Sequence, residues 1–150
     1  MRHTINSISN EIMTIGKGQL NILITTMIHL KIPLCPSVNK AYAWFKIRHK
    51  SNDYKKWEIL ASNSLKTQLK YSISWDSWLS ATYILWVDLH YKNWKKKVLD
   101  CCNYEKLTSD FLSHNIEWFE DHKLLSVHIM KKQKMDGEDI MEILIDEIWN

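Results

Sequence analysis

Trp75–Leu89 reads WDSWLSATYILWVDL. At about 100° per residue, Trp75, Trp78, Leu79, Leu85, Trp86 and Leu89 fall on one face, with Thr82 among them. That stripe predicts a long helix starting at Ser74 or Trp75. Beyond Leu89 the apolar side moves. Tyr91, Trp94, Val98, Cys101 and Cys102 line a different face, which Ile84 and Val87 join. This implies one helix packed against two neighbours, or a break near Asn93.

Working outward, Ile5, Ile8, Ile12 and Ile15 recur at helical spacing, and Gly16 and Gly18 supply a stop. Leu20, Ile22, Ile24, Ile28, Leu30 and Ile32 alternate like a strand, yet Leu20, Leu23, Ile24, Met27 and Ile28 also form a helical stripe. Pro33 and Pro36 bound a linker. Ser37 is placed to cap a helix reaching about His49. Asn52 or Asp53 is placed to cap another, with Trp57, Leu60, Ala61 and Leu65 on one face. Leu69, Tyr71, Ile73 and Trp75 alternate as a short strand or end that helix. Phe111, Leu112, Ile116 and Phe119 mark a helix from Ser109 to about Lys123. Ile140, Met141, Leu144, Ile145 and Ile148 mark a terminal helix opening at Asp136 or Gly137. Three glycines and two prolines are few for an all-β chain. The expectation is a mainly α, single-domain bundle over residues 1–150, with about five to seven helices. The alternative is α+β, with a minor β element around 20–32 or 67–75.

The chain has 150 residues, 45% of them hydrophobic and 25% charged. That is ordinary globular composition and excludes disorder, collagen and a disulfide scaffold. Residues 1–10 have no apolar signal segment, and the uncharged run 18–30 is polar and too short to span a bilayer. Cys35, Cys101 and Cys102 are an odd set with a vicinal pair, which suits reduced thiols in the cytoplasm. Ile and Lys each occur 18 times and Asn 10 times, against four Ala and two Arg. This usage points to an AT-rich gene of the kind carried by phages, plasmids and other mobile elements.

Charge is divided along the chain. Residues 1–107 carry a net of +9 and residues 108–150 a net of −6. On the expected terminal helix, Glu138, Asp139, Glu142 and Asp146 form an acidic stripe with Trp149 beside it. Such a row imitates phosphates toward a basic cleft; its plainer reading is a solvated helix back. Two basic clusters interleave with aromatics. Lys46, Arg48, Lys50 and Lys55 lie near Trp44, Tyr54 and Trp57; Lys95, Lys96 and Lys97 follow Trp94. Lysines with aromatics suit phosphates and stacked bases, although Lys-rich solvated faces are commoner. Trp44, Trp94, Trp118 and Trp149 fit their stripes least well and are the candidates for exposure.

No motif names a reaction. His114, Glu117 and Asp121 share a helical face without a second half-site, so a polar outer face is the better reading than a metal site. Gly16-Lys17-Gly18 lacks the rest of a phosphate loop. The reading is therefore a non-enzymatic, cofactor-free, protein-binding inhibitor from a conflict system. It would be a toxin immunity protein, an antitoxin or a phage anti-defence factor. Glu138, Asp139, Glu142, Asp146 and Trp149 would contact the partner. The alternative is a non-catalytic nucleic-acid-binding accessory protein using Lys46, Arg48, Lys50, Lys55 and Lys95–Lys97.

Overall fold

The computed structural model describes residues 11–148 apart from 17–18, 25–26 and 46, and side chains within 27–42 and 49–148. The central feature is a four-stranded mixed sheet in the order β3-β8-β6-β7. Its strands are β3 (Met27–Pro33), β6 (Trp78–Val87), β7 (Leu124–Gln133) and β8 (Ile140–Ile148). Strand β8 is antiparallel to both β3 and β6, whereas β6 and β7 are parallel. A parallel neighbour needs a crossover. Helix α3 (Cys101–Asn115) supplies it, making β6-α3-β7 a βαβ unit inside an otherwise antiparallel sheet. Two hairpins, β1 (Glu11–Gly16) with β2 (Gln19–Ile24) and β4 (Tyr42–Phe45) with β5 (Ile47–Lys50), form separate two-stranded pairs. The short α1 (Val38–Ala41) precedes β4, and α2 (Asn52–Gln68) precedes β6.

One sheet face and the two long helices make one core. Leu30, Ile32, Leu79, Ala81, Tyr83, Leu85, Met141, Ile143 and Ile145 alternate along their strands and are buried. Against them lie Tyr54, Trp57, Ala61 and Leu65 of α2 and Leu107, Phe111 and Leu112 of α3. Trp57 meets Phe111 edge-on at 5.0 Å and donates its indole N–H to the Pro33 carbonyl at 2.8 Å. That hydrogen bond gives the only polar atom of the ring a partner inside the core.

The mainly helical expectation is overturned. WDSWLSATYILWVDL holds strand β6, and the expected terminal helix is strand β8. The expected helix over 6–15 is strand β1 from Glu11 onward; its earlier residues lie outside the described ones. The expected helix from Ser37 shrinks to one turn before a hairpin. Residues 67–75 hold no strand, although Ile73 is buried. The physical reason is burial on both sides. β6 lies between β8 and β7, and its outer face, including Ile84, is also partly covered. A strand covered on both faces loses its alternation, and a continuous apolar run satisfies a helical wheel as well. The glycine count misled for a second reason. Trp94 and Trp118 take left-handed backbone at φ 60° and 66°, where glycine is the usual occupant.

Helix α2 forms where the sequence placed it. Its cap is Ser51, which accepts the Tyr54 N–H at 3.2 Å, one residue earlier than expected. Trp57, Ala61 and Leu65 face the core, whereas Leu60 is exposed. Helix α3 starts at Cys101 and ends at Asn115, eight residues earlier at each end than the expected helix from Ser109 to Lys123.

Candidate active site

Asp100 caps the start of helix α3. Its carboxylate accepts the Cys102 N–H at 3.2 Å and the Asn103 side-chain N–H at 2.8 Å. Such a cap satisfies a backbone donor that the helix itself cannot pair. Asp100→Ala is expected to cost about 1 kcal/mol of stability, read as a lowered urea midpoint with an unchanged slope. An unchanged midpoint would remove the cap from the account.

From that start, Leu107, Phe111 and Leu112 turn inward, and a different side of α3 looks toward the beginning of β7. Glu105, Lys106, Ser109 and Asp110 lie on it as two i, i+4 rows. With Asp121 and Leu124 they line a pocket of about 170 Å³. Asp121 opens a single 3-10 turn, Asp121–Lys123, that leads into β7. The βαβ connection thus brings together three carboxylates and one ammonium from two elements.

A buried hydrogen-bond chain fixes one of the carboxylates. Tyr83, at the centre of β6 and fully buried, donates to Ser109 Oγ at 2.6 Å. Ser109 donates in turn to Glu105 Oε1 at 2.6 Å. Burial pushes the Tyr83 hydroxyl well above its ordinary range, with the charges of Glu105 and Asp121 acting in the same direction. The phenol therefore stays protonated and remains a donor. Glu105 is held from below by the sheet while its pocket side stays free.

The acidic residues singled out in sequence are elsewhere. Glu138 and Asp139 precede β8, and Lys134 reaches Asp139 at 2.8 Å and Asp88 at 3.3 Å. Glu142 and Asp146 lie on β8, on the sheet face opposite the helices. Glu142 receives the Trp86 indole N–H at 2.6 Å and has His29 at 2.6 Å and Lys31 at 3.6 Å. Burial opposes its charge, but these partners prevail and hold its carboxyl below the usual range. Trp149 lies outside the described residues. The helix that aligned these acids in sequence is absent, and with it the stripe.

The basic candidates are dispersed. Lys50 pairs with Glu58 at 2.8 Å, and Lys55 is exposed on α2. The side chains of Lys46, Arg48 and Trp44 lie outside the described residues. Lys95, Lys96 and Lys97 fall on a hairpin between β6 and α3. Its rungs are Lys97 N–H to the Leu89 carbonyl at 2.8 Å and Tyr91 N–H to the Lys95 carbonyl at 2.9 Å. Trp94 stands at its tip, 83% exposed. Of the suggested metal set, His114 turns back onto the Asp110 carbonyl of its own helix at 2.6 Å, and Asp121 alone reaches the pocket. Sequence reading missed Glu105, Lys106 and Asp110 altogether.

The model of the family Endodeoxyribonuclease RusA matches residues 19–145, which include β6, all of α3, β7 and every residue lining the pocket. The chain belongs to the endodeoxyribonuclease RusA family. A comparison with curated proteins found no match. Membership overturns the reading of a non-enzymatic inhibitor from a toxin or defence system, because the family is catalytic and its substrate is DNA. It also moves nucleic acid from the alternative partner to the supported one. Among the described residues, no helix is long and apolar enough to cross a membrane.

Proposed function

We propose that this chain is an endonuclease for branched DNA of the Holliday-junction kind, and that the α3–β7 pocket is where the phosphodiester is cut. The observation that carries the reading is the pocket itself. Glu105, Asp110 and Asp121 line it together with Lys106 on the βαβ unit, within the family match.

Hydrolysis of a phosphodiester needs an activated water and charge stabilisation at the phosphoryl oxygens. A carboxylate such as Asp110 or Asp121 suits the first task, and the Lys106 ammonium the second. Three carboxylates would otherwise repel the substrate. Hard oxygen donors fit a hydrated magnesium ion, which typically takes one or two carboxylates and completes its shell with water and substrate phosphate. Among the described residues, no three acidic, histidine or cysteine side chains converge to hold a metal by themselves. Asp110 and Asp121 would hold such an ion against the DNA, where it would supply Lewis-acid activation. Glu105, tied to Ser109, would keep the pocket shape fixed while the ion and strand enter. Three free cysteines suit action in a reducing cytoplasm.

The hairpin before α3 supports the DNA contact. It offers Lys92, Lys95, Lys96 and Lys97 around an exposed indole, and Lys97 sits 5.5 Å over the Tyr91 ring. Replacing Lys95, Lys96 and Lys97 together with Gln is expected to reduce the slope of log affinity against log salt by about 2 to 3. Titrating a labelled junction at several salt concentrations checks this, and an unchanged slope would take the hairpin out of the interface. The function itself is tested by incubating the purified chain with magnesium and either a four-way junction or a linear duplex of the same sequence. Symmetric nicks in the junction alone support the reading. No nicking, or equal nicking of the duplex, would sink it.

A further inference from the structure

Helix α3 ends in a reverse turn. Phe119 N–H reaches the Ile116 carbonyl at 3.3 Å, so Glu117 and Trp118 are the two central residues. Trp118 has φ 66°, the third-position conformation that glycine normally supplies. A bulky aromatic in left-handed backbone is destabilising. A buried ring could offset that by packing, but Trp118 is 43% exposed. Its partner is the Lys123 ammonium, 5.2 Å from the ring centre. Lys123 is itself only 8% exposed and donates to the Trp75 carbonyl at 2.6 Å. The same ammonium thus ties the Trp118 ring to the backbone of Trp75, whose side chain is exposed. Three residues after Trp118 comes Asp121, in the wall of the pocket.

We infer that Trp118, braced by Lys123, is a stacking platform for the nucleobase beside the scissile phosphate. The inference rests on the nuclease reading of the pocket. An indole kept at a glycine position, open to solvent and three residues before Asp121 of the pocket wall, is placed to receive a flat aromatic partner. Strained backbone of this type is typical of ligand clamps. A base unstacked at a strand exchange point offers such a partner without requiring sequence recognition.

The test exploits the backbone. Trp118→Gly deletes the ring and relieves the left-handed strain, so the variant is expected to keep or raise its melting temperature. Trp118→Phe preserves a stacking face. Both are compared with the parent in an Asp110→Asn background, which leaves DNA uncut, using junctions with 2-aminopurine at each position flanking the cleaved bond. The parent is expected to quench the fluorophore at one such position. Trp118→Gly should abolish that quenching and weaken junction binding about 5- to 150-fold, the span of one lost base stack. Trp118→Phe should restore most of both. Equal binding and equal quenching by Trp118→Gly would overturn the inference while cleavage by the parent chain left the nuclease reading standing. Trp118-dependent quenching in a chain that cleaves no DNA would do the reverse. Failure to bind DNA at all would overturn both.

Discussion

Asp110→Asn and Asp121→Asn are each expected to lower single-turnover cleavage by about 10³-fold, the scale of lost water activation. Both side chains belong to the solvent-facing side of their elements, and neither is among the core residues. Their melting temperatures should therefore match that of the parent. Removing a negative charge beside a phosphate should leave junction affinity unchanged or raise it. The two expectations separate catalysis from binding. A variant that loses cleavage and melting temperature together would indicate a structural role. A variant that cleaves normally would move the chemistry out of this pocket. Glu105→Gln is the informative neighbour, because its amide keeps an acceptor for Ser109 while losing the charge.

The second large effect is on stability. Phe111→Ala is expected to cost about 3 to 5 kcal/mol, a large part of the roughly 5–15 kcal/mol that keeps a domain folded. Phe111 is buried where α3 meets α2, with its ring against the edge of Trp57 at 5.0 Å. Removing the ring opens a cavity between two helices that are each fixed to the sheet, so neither can close it. The melting temperature should fall by roughly 10 °C or more. Phe111→Leu should lose only part of this. A drop below about 1 kcal/mol would mean that the helices move together to fill the gap. Asp110, one residue earlier, lies in the pocket wall, so cleavage in Phe111→Ala should fail at a lower temperature than in the parent.

The contrast between α2 and β6 explains what the sequence made legible. Trp57, Ala61 and Leu65 recur on one side of a helix whose other side is in water, so their period survives in the sequence. In β6, Leu79, Ala81, Tyr83 and Leu85 alternate with Ser80, Thr82, Ile84 and Trp86, and that second face is half-covered. A pattern that marks both faces as apolar no longer tells period 2 from period 3.6. In β8 the signal was present: Met141, Ile143 and Ile145 alternate with Glu142, Leu144 and Asp146. The abundance of isoleucine, a β-branched residue, pointed the same way. The pocket was harder to read. Placing the helix start at Ser109 left Glu105 and Lys106 outside the helix, so their i, i+4 relation to Ser109 and Asp110 was hidden. Helical spacing groups Asp121 with His114 and Glu117, but the helix ends at Asn115 and Asp121 opens a separate turn. Its real neighbours are reached only through the parallel pairing of β6 and β7.

Strands β3 and β6 never touch: each pairs with β8, the latest strand in chain order. A nascent chain emerging at about 5–20 residues per second therefore holds its sheet in two unjoined parts until residue 148 is available. The β6-α3-β7 unit, with its pocket, can form early, whereas the bond between the halves waits for synthesis of the last described strand. Biogenesis is thus ordered by topology, with the β3-α2 and β6-α3-β7 parts formed first and joined by β8 afterwards.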